Sequence, residues 1–296
     1  MANNKNNGQT SAPTVKKRSQ LQEMWRRLKK NKPAVVGMCI IIAIALMAIF
    51  APYVTPYDYA KQDLKATFIK PCAEHIMGTD NFGRDIYTRI VYGARISLAI
   101  GLVSVTIGCL VGGSLGAIAA YYGGKVDNGI MRTLDVINSI PSLLLAISLS
   151  ASLGTGLGNA MMAVGFSSIP TYARIVRASV MSVKGEEYVE AAVALGASTK
   201  RVILRHIIPN CLAPLIVQAS MRVAGAIITA ASLSFIGLGV QPPTPEWGSM
   251  LSTGRQYIRT HWHMIIFPGL AIMVTVTSLN LFGDGVRDAL DPRLKQ

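Results

Sequence analysis

Few side chains in this 296-residue chain are spaced for chemistry, and those few allow a short set of roles. Arg222 lies about eleven residues into an apolar run from Cys211 to Gly239. A charge facing lipid is costly, so such a residue lines a path, pairs with a partner subunit, or is buried against a helix carbonyl or an acid. His261 and His263 stand close enough to share a metal, but a short aromatic-rich loop at the membrane surface accounts for them better. Asp80, Asn81 and Asp85 loosely match a calcium loop, but the spacing fails the EF-hand pattern. A turn knitted by Asp and Arg side chains suits them better. No G-x-x-x-x-G-K-[ST] and no H-E-x-x-H occurs, so neither P-loop ATP hydrolysis nor zinc hydrolysis is expected of this chain. Cys39, Cys72, Cys109 and Cys211 are widely separated and suggest no disulfide framework or zinc site. The expectation is no catalytic group, no metal and no cofactor of the chain's own.

The elements that must hold these residues are membrane spans. Hydrophobic residues make up 51% of the chain and charged ones only 15%, with a mean hydropathy of +0.39. Soluble domains run nearer a quarter charged. A bilayer core needs roughly 20 apolar residues per helix. The apolar runs predict an all-α polytopic membrane protein with six transmembrane helices, at 34–54 and about 94–122, 130–152, 158–178, 211–239 and 264–283. The Gly154–Asn159 segment, rich in glycine, separates the third from the fourth.

Six spans place both termini on one side. With the termini cytoplasmic, 20 of the 29 Lys and Arg residues fall inside and 7 outside, in line with the positive-inside rule. The same bias explains the net charge of +14 without nucleic acid, for which no zinc-finger or basic-aromatic motif is present. Residues 1–20 read as a disordered cytoplasmic tail, not a cleaved signal peptide. Residues 21–33 read as an interfacial amphipathic helix with Trp25 at the headgroups, or simply a basic flank. An extracytoplasmic loop follows over 55–93, the membrane core extends over 94–283, and 284–296 is a cytoplasmic C-terminus. Gly108, Gly112 and Gly116 form consecutive GxxxG steps that let two helix backbones approach, within the chain or at a subunit interface. Arg132 and Asp135 are spaced to pair on one helix.

The cytoplasmic loop at about 180–209 is the most informative soluble segment. Glu187 to Leu195 predicts a short helix with a thin face of Ala191, Ala192 and Ala194, and Gly196 can end it in the left-handed region. Ser198 can cap a second helix bearing Arg201 and Arg205, and Pro209 marks the turn into the next span. A small-residue helix followed by a basic one is shaped to dock into a groove of another protein.

Glu190-Ala191-Ala192, Gly196 and Pro209 together resemble the EAA loop of ABC importer permeases. The string YVEAAVALGASTKRVILRHIIPN is similar to the dipeptide/oligopeptide branch, where His at the place of His206 is a branch mark. GTDNFGRD at 78–85, YGARISL at 92–98, LSFIGLGVQPPTPEWG at 233–248 and LFGDGVRDALDPRL at 281–294 agree in order. The match is nearest the C-type subunit of a dipeptide permease.

This resemblance implies a type I ABC importer permease in a bacterial plasma membrane, a non-catalytic subunit forming half of a pathway for di- or oligopeptides. The implied partners are a second, B-type permease, two ABC nucleotide-binding subunits that hold ATP and Mg, an extracytoplasmic substrate-binding protein and the lipid bilayer. It assigns coupling to the ATPases to Glu190, Ala191, Ala192 and Gly196, with Tyr188 and Arg205 flanking. Glutathione or nickel are alternative cargoes of the same machinery. Segments 55–95 and 240–262 are candidates for meeting the binding protein, or rigid caps over helix ends. A self-sufficient secondary transporter would call for inverted repeats and buried carboxylates, and an intramembrane enzyme for paired acids or a Ser/His set; neither pattern is visible.

Overall fold

The computed structural model describes residues 20–290, with side chains from Met24 onward. The regular structure among them is helical, apart from a lone bridge between Thr79 and Asp85. In chain order the helices are α1 (Gln20–Lys30), α2 (Lys32–Ile49), α3 (Ala51–Val54), α4 (Ile86–Ile107), α5 (Gly113–Tyr122), α6 (Gly124–Asn138) and α7 (Ser142–Leu153). There follow α8 (Leu157–Lys184), α9 (Glu187–Ala194), α10 (Thr199–Arg201), α11 (Ile208–Phe235), α12 (Trp247–Gly254) and α13 (His263–Leu290). π-Helical turns at Gly108–Gly112 and Val202–Ile207 join α4 to α5 and α10 to α11 without a break. Except for Gln20, the tail expected over 1–20 lies outside the described residues, as do the last six positions of 284–296.

Four stretches are long and apolar enough to cross a bilayer: 32–49, 86–122, 199–235 and 263–290. The single helix expected over 130–152 is not formed. α6 and α7 meet at 87° across a break of three residues, a fifth crossing if the bent pair is counted as one. Pro141 causes the break, because it cannot donate to the helix ladder and it disfavours helical geometry at the residue before it. α8, where a span was expected over 158–178, has 28 residues and is about 42 Å long. It is less apolar than the others because it carries Ser167, Ser168, Thr171, Arg174 and Arg177 and packs mostly against protein. The fifth stretch starts earlier than expected. Pro209 does not turn the chain but sits in the first turn of α11, where a missing N–H costs little.

α8 is the axis of the packing. α4, α5, the first π turn, α7 and α11 all lie against it. The GxxxG series serves this contact within the subunit. A Cβ on Gly108 would strike Ser168 Oγ, one on Gly112 would lie 2.5 Å from the Ile169 carbonyl, and one on Gly116 would strike the Ala173 carbonyl. Charged clasps close the lower end: Arg177 grips Asp127 of α6 with two bonds of 2.6 Å, and Arg174 reaches Asp135 at 2.6 Å. Asp135 thus pairs across helices and not with Arg132. The turn between α7 and α8 uses positive φ at Gly154 and Gly156, and Asn159 Nδ2 ties off the Leu153 and Gly154 carbonyls.

The outer half of α2 is held by Arg95, which donates to the Ala48 and Ile49 carbonyls, so this span charge satisfies a helix end. α1 only partly matches an interfacial helix. Leu28 is buried against Ala34, Val286 and Ala289, while Trp25 stays exposed with the Lys29 ammonium 5.1 Å from its ring.

Outside the helix ends, 55–85 and 236–262 form one cap. Asp80 accepts from Arg84 Nε at 2.7 Å and from the backbone of Phe82 and Arg84, which is the Asp–Arg turn expected of 78–85. Arg89 donates to the Tyr59 and Pro243 carbonyls, His75 bonds Asp85 at 2.9 Å, and Phe68 stacks on His261. His263 turns instead to the Thr79 carbonyl, and its ring stands edge-on to that of His261, with centroids 6.0 Å apart. Glu246 caps α12, accepting from the Gly248 and Ser249 N–H groups, and burial pushes its carboxyl above the ordinary range.

Two outcomes follow from this packing. Gly116→Val should destabilise the subunit by about 1–3 kcal/mol through overpacking against α8. Gly129→Ala, with nothing within 4 Å of its Cβ, should be neutral or slightly stabilising; thermal unfolding of the detergent-purified assembly tests both. Because Glu246 holds its proton more tightly folded than unfolded, its contribution is full below the ordinary carboxylate range. It is lost as pH rises through the elevated value. The melting temperature of wild type should therefore fall more than that of Glu246→Gln between pH 4 and pH 8.

Candidate functional site

Two features stand out, one on the loop between α8 and α11 and one within the helices. In the loop, Val189 is the anchor. It is 2% exposed and packs with Val180, Val202 and Ile207, which seats α9 on the second π turn. That inward residue turns Tyr188, Glu190, Ala191 and Val193 outward, with Ala192 half-buried. Glu186, Glu187 and Glu190 crowd the first turn, where a helix favours negative charge.

The end of α9 is a Schellman turn. Ala197 N–H bonds the Ala192 carbonyl, Gly196 N–H bonds the Val193 carbonyl, and Gly196 has φ +78°. Only glycine takes that conformation without a Cβ penalty. Leu195, just before it, is 89% exposed, and Tyr188 and Val193 add to this apolar tip. Ser198 occupies the expected capping position in extended backbone, but its hydroxyl makes no capping bond. Arg205 is exposed on the π turn beneath α9. The structure thus groups Tyr188, Glu190, Ala191, Ala192 and Gly196 on one projecting unit, with Arg205 on the helix that carries it.

Arg222 lies far from that unit along the same continuous helix. It lines a cavity of about 310 Å³ between α4, the α6–α7 break, α8 and α11, and is the only charged residue among the described residues lining it. Arg222 makes no ion pair or hydrogen bond to another described residue. The rest of the polar wall is uncharged: Ser104, Asn138, Ser142 and Thr229, with Ser167, Ser168 and Thr171 of α8. Several hydroxyls donate to helix carbonyls, Ser104 to Met161, Ser167 to Val164 and Thr229 to Gly225, so their lone pairs remain for a guest.

Sequence reasoning passed over this wall. Its signal was present in α8, where Ser167, Ser168 and Thr171 fall on one helical face of an otherwise apolar segment. Asn138 and Ser142 gave no such signal, because their placement depends on the direction of the break at Pro141. Among the described residues no group of three or more His, Cys, Asp or Glu is arranged for a metal.

Comparison with known proteins bears on both features. Residues 112–296 match the model of the binding-protein-dependent transport system inner membrane component. Residues 19–71 match the N-terminal TM domain of oligopeptide transport permease C. The chain is 48% identical to a dipeptide transport system permease protein of Alkalihalophilus pseudofirmus, over 93% of this chain and 90% of that one. It is 44% identical to a di/tripeptide permease of Pseudomonas aeruginosa, over 98% and 97%. Identity is also 44% to a glutathione permease of Pectobacterium atrosepticum, over 94% and 93%. In fold it resembles an inward-facing MetNI methionine ABC transporter, with a TM-score of 0.55 at 19% identity over 68% of this chain and 96% of that one. An amino acid ABC transporter gives 0.52 at 16% identity, over 67% and 92%. An all-helical membrane fold, a projecting loop helix and these relatives converge: the chain belongs to the binding-protein-dependent transport system inner membrane components and is similar to their dipeptide-permease C branch.

Proposed function

We propose that the chain is one half of the membrane pathway of an ATP-driven importer of di- or oligopeptides, coupled through α9 to separate ATPase subunits. The observation that carries this reading is the construction of α9: pinned by Val189, closed at Gly196, and presenting an apolar tip that no described residue covers. Tyr188, Glu190, Ala191, Ala192 and Gly196 would seat in a cleft of the ATPase, with Arg205 at its edge. The relatives' names support peptides as cargo, and one of them supports glutathione as the alternative; nickel is a further alternative without support from these names.

The remaining parts of the reading rest on the resemblance to ABC importer permeases. α8 completes six crossings, with α6 and α7 forming one broken crossing, and both termini in the cytoplasm. A B-type permease forms the other half of the pore. The two ATPases bind ATP and Mg, a binding protein delivers cargo to the outer cap, and this chain performs no bond chemistry.

Coupling has a mechanical basis in the subunit. α9 rests on the π turn, and the helix continues unbroken from Thr199 to Phe235. From Arg201 to Arg222 that helix is about 30 Å long. A displacement of α9 by closing ATPases is therefore passed along one rigid rod to the wall of the cavity. The two-state element is the packing of this rod against α8 and α13, and nucleotide biases it by favouring one position of α9.

Substitutions at Gly196 test the coupling role. The space around it is open, so the penalty comes from φ alone. Asn tolerates that region far better than Val. In proteoliposomes, Gly196→Val should cut transport at least ten-fold while ATP hydrolysis persists, and Gly196→Asn should retain most of it. Normal transport by an assembled Gly196→Val complex would exclude α9 as the coupling element. Independently, Leu195→Asp should release the ATPases during gel filtration of the solubilised complex, whereas Thr133→Asp, on the exposed side of α6, should not.

A further inference from the structure

Arg222 has a counterpart in the cavity opposite it, and both favour the same kind of guest. The α6–α7 break leaves α7 beginning inside the membrane fold, and Pro141 and Ser142 at its amino end form part of the cavity wall. No side chain caps that end. The first N–H groups of a helix lack intrahelical partners and carry about half a positive charge, which is the usual setting for an anion. Arg222 pairs with no other described residue, and the cavity it shares with this helix end contains no acid among its described lining residues.

We propose that this wall is a carboxylate station inside the membrane, where the terminal carboxylate of a passing peptide meets Arg222 and the amino end of α7. The station rests on the importer reading above. Its volume lies at the small end of ligand pockets, about 300–1,000 Å³, and suits a dipeptide-sized guest. A carboxylate there satisfies the guanidinium and the helix end together, and spares the cargo the cost of carrying an unpaired charge through a dry passage. The lone pairs of Ser104, Ser167 and Thr229 are available to the N–H groups of the same guest. Because α11 carries Arg222 and the other donor is the amino end of α7, a shift of the α11 rod opens the pair and releases the anion.

Glutathione also carries carboxylates, so both sources enter the test. The complex of this chain with its partner subunits, purified without the binding protein, is titrated by ligand-observed NMR with Ala-Ala, its C-terminal amide and glutathione. Arg222→Gln should weaken Ala-Ala at least ten-fold, Arg222→Lys should recover part of that loss, and the amide should bind wild type no better than Arg222→Gln. Arg222 is exposed within the subunit, so both variants should assemble. Equal binding of Ala-Ala by wild type and Arg222→Gln, or an equal loss for the amide, would overturn the station. Dependence on Arg222 for glutathione alone would keep the station and replace the peptide. Uptake of Ala-Ala into proteoliposomes with the binding protein is read in parallel. Uptake without any Arg222-dependent binding overturns the station while the importer reading stands; station binding without uptake of either cargo overturns the importer reading instead.

Discussion

The close approach of the glycine face of α4–α5 to α8 is the constraint on which the rest of the subunit depends. Gly108, Gly112 and Gly116 bring backbone against backbone, with the carbonyls of Ile169 and Ala173 in the contact. In lipid, helices gain little from burying apolar surface against one another, so close van der Waals fit does much of the work. With α8 fixed in this way, one polar stripe takes two duties at different heights: Ser167, Ser168 and Thr171 line the cavity, and Arg174 and Arg177 further along pair with the acids of α6. The same contact frees the ring of Tyr172 to lie over Gly108, where a larger residue would exclude it.

Many polar groups in the fold close a backbone end. Arg95 closes the end of α2, Asn159 closes α7, Lys184 reaches the Tyr121 carbonyl at the end of α5, and Asn31 and Asp85 begin α2 and α4. Such economy is expected where water cannot satisfy a stray carbonyl. Arg222 does not do this: it lines the cavity and pairs with no other described residue. The cap of 55–85 and 236–262 does so most densely, with Asp80 and Arg89 holding loop backbone and Asp85 and Glu246 capping α4 and α12.

The sequence made some of this visible and hid the rest for physical reasons. Long apolar runs, the GxxxG spacing and the glycine after Glu190-Ala191-Ala192 are local signals, and the structure has helices, a tight contact and a Schellman turn at those places. Pairings between distant segments were hidden. Arg132 is the nearest cation to Asp135 in sequence, yet Arg174 of α8 takes it, because the 87° break turns α6 toward α8. Pro141 was visible, but a proline reports only that a helix stops and not where the chain goes next. Pro209 misled in the opposite sense, since a proline in a first turn is compatible with an unbroken helix when a π turn precedes it. Trp25 and Leu28 shared one apolar face in sequence, and only the position of α13 decides that Leu28 is covered and Trp25 is not.

The π turn at Val202–Ile207 sets the phase of the long helix. Such a turn takes in one residue more than an α-helix would, which rotates everything beyond it by about 100°. The bearing of Arg222 around its axis is therefore fixed twenty residues upstream, at the point where α9 is seated. Removing the extra residue would turn the guanidinium about the helix axis by the same angle. The seat of α9 and the bearing of Arg222 thus share a single wide turn of backbone.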